Sequence, residues 1–166
     1  MVNRRPEYSR RMRGDSVWAE SIHLLVAILA LISLIILPGI VQAQSAEIIL
    51  AGYNHVPTVR TSATGVVTVT VEADTLIVEG QFRDLRGVYR SASIHYGPPD
   101  ESGNRLFGLN VDLDEDRKGG MFSAEKNRFG LRPSLREALK AGNLYISVAS
   151  NRHQRGEIRG QIPAVQ

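Results

Sequence analysis

The sequence predicts an all-β domain, an antiparallel Greek-key-like sandwich or barrel of about eight strands with one short helix. Two observations support the strands: apolar and polar residues alternate with period two through most of residues 44–166, and turn-forming residues separate the alternating runs. A third observation supports the helix, because only residues 133–142 depart from this alternation toward a helical pattern.

The clearest strands are two alternating runs on either side of Ala73-Asp74. Residues 67–71 and 76–82 carry valine, leucine and phenylalanine at alternate positions, which predicts a hairpin with one buried face. The other runs predicted as strands are 46–50, 92–96, 107–113, 121–124, 144–148 and 158–162.

The helix prediction depends on residues 133–142, which read PSLREALKAG. Ser134 and Glu137 have the spacing of a capping box, and Gly142 stands where a helix end favours a left-handed residue. We expect about two helical turns that plug or edge the sheet.

The first 43 residues predict export. Five arginines precede an apolar run at 24–37, which is followed by Pro38-Gly39 and by the small-residue exit Val41-Gln42-Ala43. This pattern is typical of a secretory signal cleaved after Ala43, leaving one domain at 44–166. The alternative is an uncleaved signal-anchor, in which residues 24–43 hold the domain at the membrane. The predicted location is periplasmic, secreted or cell-surface, with membrane contact only through this segment.

Charge and cysteine content narrow the function classes. Residues 44–166 contain 15 basic and 14 acidic residues, so the domain is close to neutral and nucleic-acid binding is not expected. The chain has no cysteine, which excludes thiol catalysis and thiolate metal sites.

Three blocks of sequence resemble a known family. Residues 50–59 read LAGYNHVPTV, similar to the family pattern L-x-G-x-x-x-V-P-P-V, with Thr58 in place of the second proline. Residues 92–98 read ASIHYGP, similar to A-H-I-H-x-G, and residues 144–150 and 156–162 read LYISVAS and GEIRGQI, similar to L-Y-V-N-V-H-T and G-E-I-R-G-Q.

These blocks are typical of the CHRD domain, the chordin-type repeat, and resemble its single-domain bacterial secreted members. The resemblance spans residues 46–163 and implies a secreted all-β domain whose biochemical role is undefined. In chordin such domains lie beside modules that bind growth factors.

His95 raises the question of a metal site. The family pattern carries up to three histidines in these blocks, with an H-x-H spacing that resembles the copper ligands of copper-zinc superoxide dismutases. Here Ser93 and Ala149 occupy two of those places, whereas copper or zinc needs three or four ligands. We therefore interpret His95 as a strand histidine. The alternatives are a binding role together with Tyr96 and a copper or zinc site completed by His153.

Two further groups of polar residues are candidates for binding. Glu157 and Arg159 share one face of a predicted strand, where they can bind a peptide or sugar or form cross-strand contacts. The acidic run at 112–116 begins like a calcium loop, but Arg117 and Ser123 occupy positions that require glycine and glutamate. We interpret the run as a solvated turn, with weak calcium binding as the alternative.

No catalytic motif is present in the sequence. The sequence therefore predicts a non-enzymatic binding or structural module without a cofactor, whose partner is an unknown protein or surface polymer. The candidate binding residues are His95, Tyr96, Glu157 and Arg159. A copper- or zinc-binding, dismutase-like protein is the alternative.

Overall fold

The computed structural model describes residues 43–165 of the 166-residue chain. The predicted signal or signal-anchor at 1–43 lies outside the described residues, except for Ala43. Within residues 43–165, no helix is long and apolar enough to cross a membrane.

Ten strands and one α-helix make up the described domain. The strands are Gln44–Ala51 (β1), Thr64–Glu72 (β2), Thr75–Arg83 (β3), Tyr89–Tyr96 (β4), Arg105–Gly108 (β5), Asp112–Leu113 (β6), Gly120–Phe122 (β7), Arg128–Gly130 (β8), Leu144–Ser150 (β9) and Ile158–Ile162 (β10). A 3₁₀ turn, Gly52–Asn54, follows β1, and the helix α1 spans Pro133–Lys140.

All strands join one curled antiparallel sheet in the order β5-β4-β9-β10-β1-β2-β3-β7-β6, and β8 also pairs with β3. The all-β prediction is confirmed. The predicted hairpin is β2 and β3, in full antiparallel register around a turn at Ala73-Asp74.

The core lies on one face of the curled sheet. Alternate residues of β2, β3, β4, β9 and β10 point into it, and Leu135 and Leu139 of α1 join the same buried cluster. Burial of these side chains is the main favourable contribution to folding. The opposite face of β4, β9 and β10 is left to polar residues.

The helix forms where predicted, but its start differs from the prediction. Pro133 occupies the first helical position and Arg132 is the N-cap, with no side-chain cap, so Ser134 does not cap the helix. Proline fixes a helical φ and lacks an N–H that would be unpaired there, which explains the earlier start. At the other end, Gly142 has φ +68°, the predicted left-handed conformation.

The predicted strand at 107–113 is two short strands, β5 and β6. The buried side chain of Asn127 bonds both backbone groups of Asn110, accepting from its N–H at 2.8 Å and donating to its C=O at 2.9 Å. This amide takes the place of a neighbouring strand between β5 and β6. The sequence prediction also missed β8.

Candidate functional site

The polar face of β4, β9 and β10 carries the candidate site. Strand pairing places His95 opposite Tyr145, which lies opposite Gln161. One step along the same face, Ser93 lies opposite Ser147, which lies opposite Arg159. Period-two alternation points all six side chains away from the core.

The Tyr145 ring is the centre of this face. The His95 ring stacks on it, with centroids 5.0 Å apart and planes 13° apart. The Arg159 guanidinium lies 3.6 Å from the Tyr145 centroid, a cation–π contact from the strand on the other side. The Tyr145 hydroxyl accepts a hydrogen bond from Gly103 N at 3.1 Å.

Arg159 is buried, with 1% of its surface exposed, and it holds the β4–β5 loop. Its guanidinium donates to the carbonyl oxygens of Glu101 at 2.8 Å and Pro98 at 2.7 Å, and to Gln161 Oε1 at 2.9 Å. No carboxylate of residues 43–165 forms an ion pair with it. Burial lowers the pKa of Arg159, while Tyr145 and Asp100 act in the opposite direction.

His95 is bound on both ring nitrogens. Nδ1 lies 3.1 Å from the Gly103 carbonyl oxygen and Nε2 lies 3.2 Å from Ser93 Oγ. A carbonyl only accepts, so Nδ1 carries the proton and Nε2 accepts from the serine hydroxyl when the ring is neutral. Burial lowers the pKa of His95, and the nearby charges of Arg105, Arg159 and His55 add to this, which outweighs the opposite effect of the Gly103 carbonyl. The neutral imidazole is therefore favoured.

His95 lines a partly enclosed cleft of about 530 Å³, which we call the His95 cleft. Its walls are β4, β9, the start of β5 and three loops. The lining residues are His55, Val56, Pro57, Ser91, Ser93, His95, Ser102, Gly103, Arg105, Tyr145, Ser147, Ala149, Gln154 and Arg155. A hydrogen bond from Ser102 Oγ to the Val56 carbonyl, at 2.9 Å, joins two of these loops.

His55 enters the cleft from the segment after the 3₁₀ turn. Its Nδ1 lies 3.2 Å from the Pro57 carbonyl oxygen and its Nε2 lies 3.4 Å from the Arg155 carbonyl oxygen. Gly156 makes this position available, because a Cβ there would overlap the His55 ring and approach Ser147 Oγ to 2.5 Å. Gly156 also has φ +134°, which side chains rarely tolerate.

Glu157 and Arg159 are both buried, but they form neither a hydrogen bond nor an ion pair with each other. The Glu157 carboxylate accepts from Thr61 Oγ1 at 2.6 Å, from Arg86 N at 2.8 Å and from Ser150 Oγ. These donors come from two loops and the end of β9, so Glu157 ties the loops to the sheet. Arg159 holds a different loop.

Tyr96 lies outside the His95 cleft. It is 47% exposed and lines a separate groove of about 770 Å³ with Leu106, Leu131 and Leu135. The structure therefore brings His95 together with His55 and not with Tyr96.

The positions considered for a metal site share one face. Ser93, His95 and Ala149 all line the His95 cleft, whereas His153 is not among its lining residues. Within residues 43–165, no three histidine, aspartate or glutamate side chains come together as a metal site would require. In the acidic turn, Asp112 pairs with Lys126, and Asp116 accepts from Lys118 N at 2.9 Å.

Sequence reasoning did not single out His55 or Arg105 as residues of this site. His55 stands 40 positions before His95 in the chain, and no local spacing links them. The only local signal was the glycine at 156 before a strand, which indicates a close backbone approach.

The fold and the His95 cleft define an all-β domain with a partly covered cleft, lined by both polar and apolar groups, on the outer face of its sheet. The CHRD domain model matches residues 46–162, and the chain belongs to the CHRD domain family. No curated protein and no solved structure matches the chain.

Proposed function

We propose that this protein is a non-enzymatic, extracytoplasmic binding module whose ligand enters the His95 cleft. The observation that carries the proposal is the cleft itself: imidazole, guanidinium and hydroxyl groups converge in a concave space of about 530 Å³. Binding sites for small ligands have this size and a few convergent polar groups.

The fixed β4–β5 loop supports the proposal. Arg159, Tyr145 and His95 all bond the backbone of residues 98–103, and Gln161 Nε2 donates to the Gly97 carbonyl at 3.0 Å. A wall held this firmly loses little conformational entropy when a ligand binds, which favours affinity.

Native mass spectrometry of protein isolated from the exporting cell tests the location and the metal alternative together. We expect a metal-free mass that begins at Gln44, or the full-length mass in the membrane fraction if the segment is an anchor. An unprocessed chain in the cytoplasm would contradict export.

The proposal that a ligand binds in the His95 cleft is tested by amide NMR of the full-length protein in a non-ionic detergent. Soluble polymer fractions from the surface of the source cell are added, and shifts are expected at residues 93–95 and 145–149. Shifts confined to residues far from the cleft, or no shifts at all, would contradict the assignment of the site.

A copper- or zinc-binding role is the second candidate, and one observation favours it: His55 and His95 line the same cleft. Two imidazoles fall short of the three or four ligands that these ions usually take. Arg105 and Arg155 also line the cleft, and their positive charge opposes a cation. A stoichiometric copper or zinc adduct in the native spectrum would establish this role instead.

A further inference from the structure

The charges that line the His95 cleft have one sign. Arg105 and Arg155 are its charged residues, and no aspartate or glutamate is among the lining side chains. Among residues 43–165, neither arginine has a carboxylate within 4.0 Å. The buried Arg159 adds a third positive charge behind Tyr145. A cleft with low-dielectric walls concentrates such a field.

The neutral groups of the cleft supply further donors. Ser91 and Ser147 line its floor on neighbouring strands and can donate to a ligand, whereas the hydroxyls of Ser93 and Ser102 already donate to His95 Nε2 and to the Val56 carbonyl. Hydroxyls and guanidinium N–H groups together suit an oxyanion, because each can donate to an oxygen that carries negative charge.

The volume of the cleft indicates a ligand larger than an inorganic ion. A space of about 530 Å³ falls within the range of sites that hold small organic molecules. An anionic group at Arg105 would leave room for a polar body along the serine-lined floor.

We propose that the His95 cleft binds an organic oxyanion, a ligand with a carboxylate group and a polar body of about monosaccharide size. Arg105 contacts the carboxylate, and Arg155 adds attraction at the rim. Serine hydroxyls and the ring of His55 contact the body. This inference rests on the proposed binding function and adds the ligand class.

Two matched pairs of probes test the charge requirement. Glucuronate is compared with glucose, and N-acetylalanine with its amide, by amide NMR of the full-length protein at constant ionic strength. We expect the anion of at least one pair to shift cleft residues at millimolar concentration and to bind about tenfold or more tightly than its neutral partner. Affinity should fall as salt is added.

Variants of Arg105 test whether the tighter binding of anions takes place in the His95 cleft. Arg105 is exposed, so R105M is expected to fold, and circular dichroism checks this. R105M should weaken anion binding about tenfold, while R105K, which keeps the charge, should lose less. Arg152 is an exposed arginine outside the cleft lining, and R152M serves as the control.

The outcomes separate this inference from the proposed function. Equal binding of neutral and anionic probes at the cleft, or equal effects of R105M and R152M, would overturn the oxyanion class and leave the binding module intact. Shifts produced by surface polymers but by none of the four probes would also overturn the oxyanion class and leave the binding module intact. If neither polymers nor probes shift the cleft, both proposals fail.

Discussion

Replacing Arg159 with methionine tests whether the buried guanidinium stabilises the fold. The change removes two hydrogen bonds to the carbonyls of Pro98 and Glu101, a third to Gln161, and the cation–π contact with Tyr145. Hydrogen bonds to a charged group contribute about 1.5–3 kcal/mol each. The cation–π contact adds about 2 kcal/mol at a desolvated site.

The gross loss of about 6.5–11 kcal/mol is offset in part, because methionine avoids the cost of burying a charge, which is several kcal/mol. We expect a net decrease of about 2–4 kcal/mol in the free energy of unfolding. Urea titration of the full-length protein, followed by circular dichroism, measures this decrease. Faster amide exchange at Gly103 should accompany it, since the loop loses its anchor.

The matched control is R90M. Arg90 is an exposed arginine on a strand, and its side chain forms no hydrogen bond or ion pair with the described residues. It should change stability by no more than about 0.5 kcal/mol. If R159M costs no more than R90M, the buried guanidinium does not stabilise the fold as argued.

Three further predictions concern residues around the same face. E157A leaves three donors without their acceptor and should lower the free energy of unfolding, measured by urea titration, by about 3 kcal/mol or more. E157Q should lower it less. Equal decreases would contradict a role for the carboxylate charge. G156A should cost about 2 kcal/mol or more and shift the His55 ring resonances, because its Cβ overlaps that ring; an unshifted His55 would refute the packing argument. The lowered pKa of His95 means that wild-type stability falls as pH drops below the unfolded value of about 6.5 toward the lower folded value, and H95N should remove this part of the loss. Unfolding midpoints from pH 8 to pH 5 check this; a variant that loses stability as steeply as the wild type would contradict it.

The strands that local pattern predicts best are those whose two faces differ in residue type. β2, β3, β4, β9 and β10 each place apolar residues on the core face and mostly polar residues on the other, so alternation alone located them, although β9 is buried on both faces. β8 has three residues, too few for a period to be read. The break between β5 and β6 depends on Asn127, a residue 17 positions from the backbone that it bonds, and no local window contains that contact.

The candidate site was predictable only in part for a related reason. Alternation correctly placed His95, Ser93 and Arg159 on the polar face, but whether that face is open or covered depends on loops from elsewhere in the chain. Glu157 shows the same limit: its position beside Arg159 suggested a shared binding face or cross-strand contacts, whereas its partners are Thr61, Arg86 and Ser150. These long-range contacts decide which polar residues share a cleft.

The place of β10 in the sheet has a consequence for how the chain folds. β10 is the last strand in sequence, yet it lies between β9 and β1 and joins the β5-β4-β9 group to the β1-β2-β3 group. During synthesis from the N-terminus, the β2–β3 hairpin can form early. The two groups have no common strand until residues 158–162 have been made. Arg159, which β10 supplies, also fixes the loop that walls the cleft. The two groups of strands therefore join, and the cleft forms, in one late step. This step is slow because its contacts span the length of the domain.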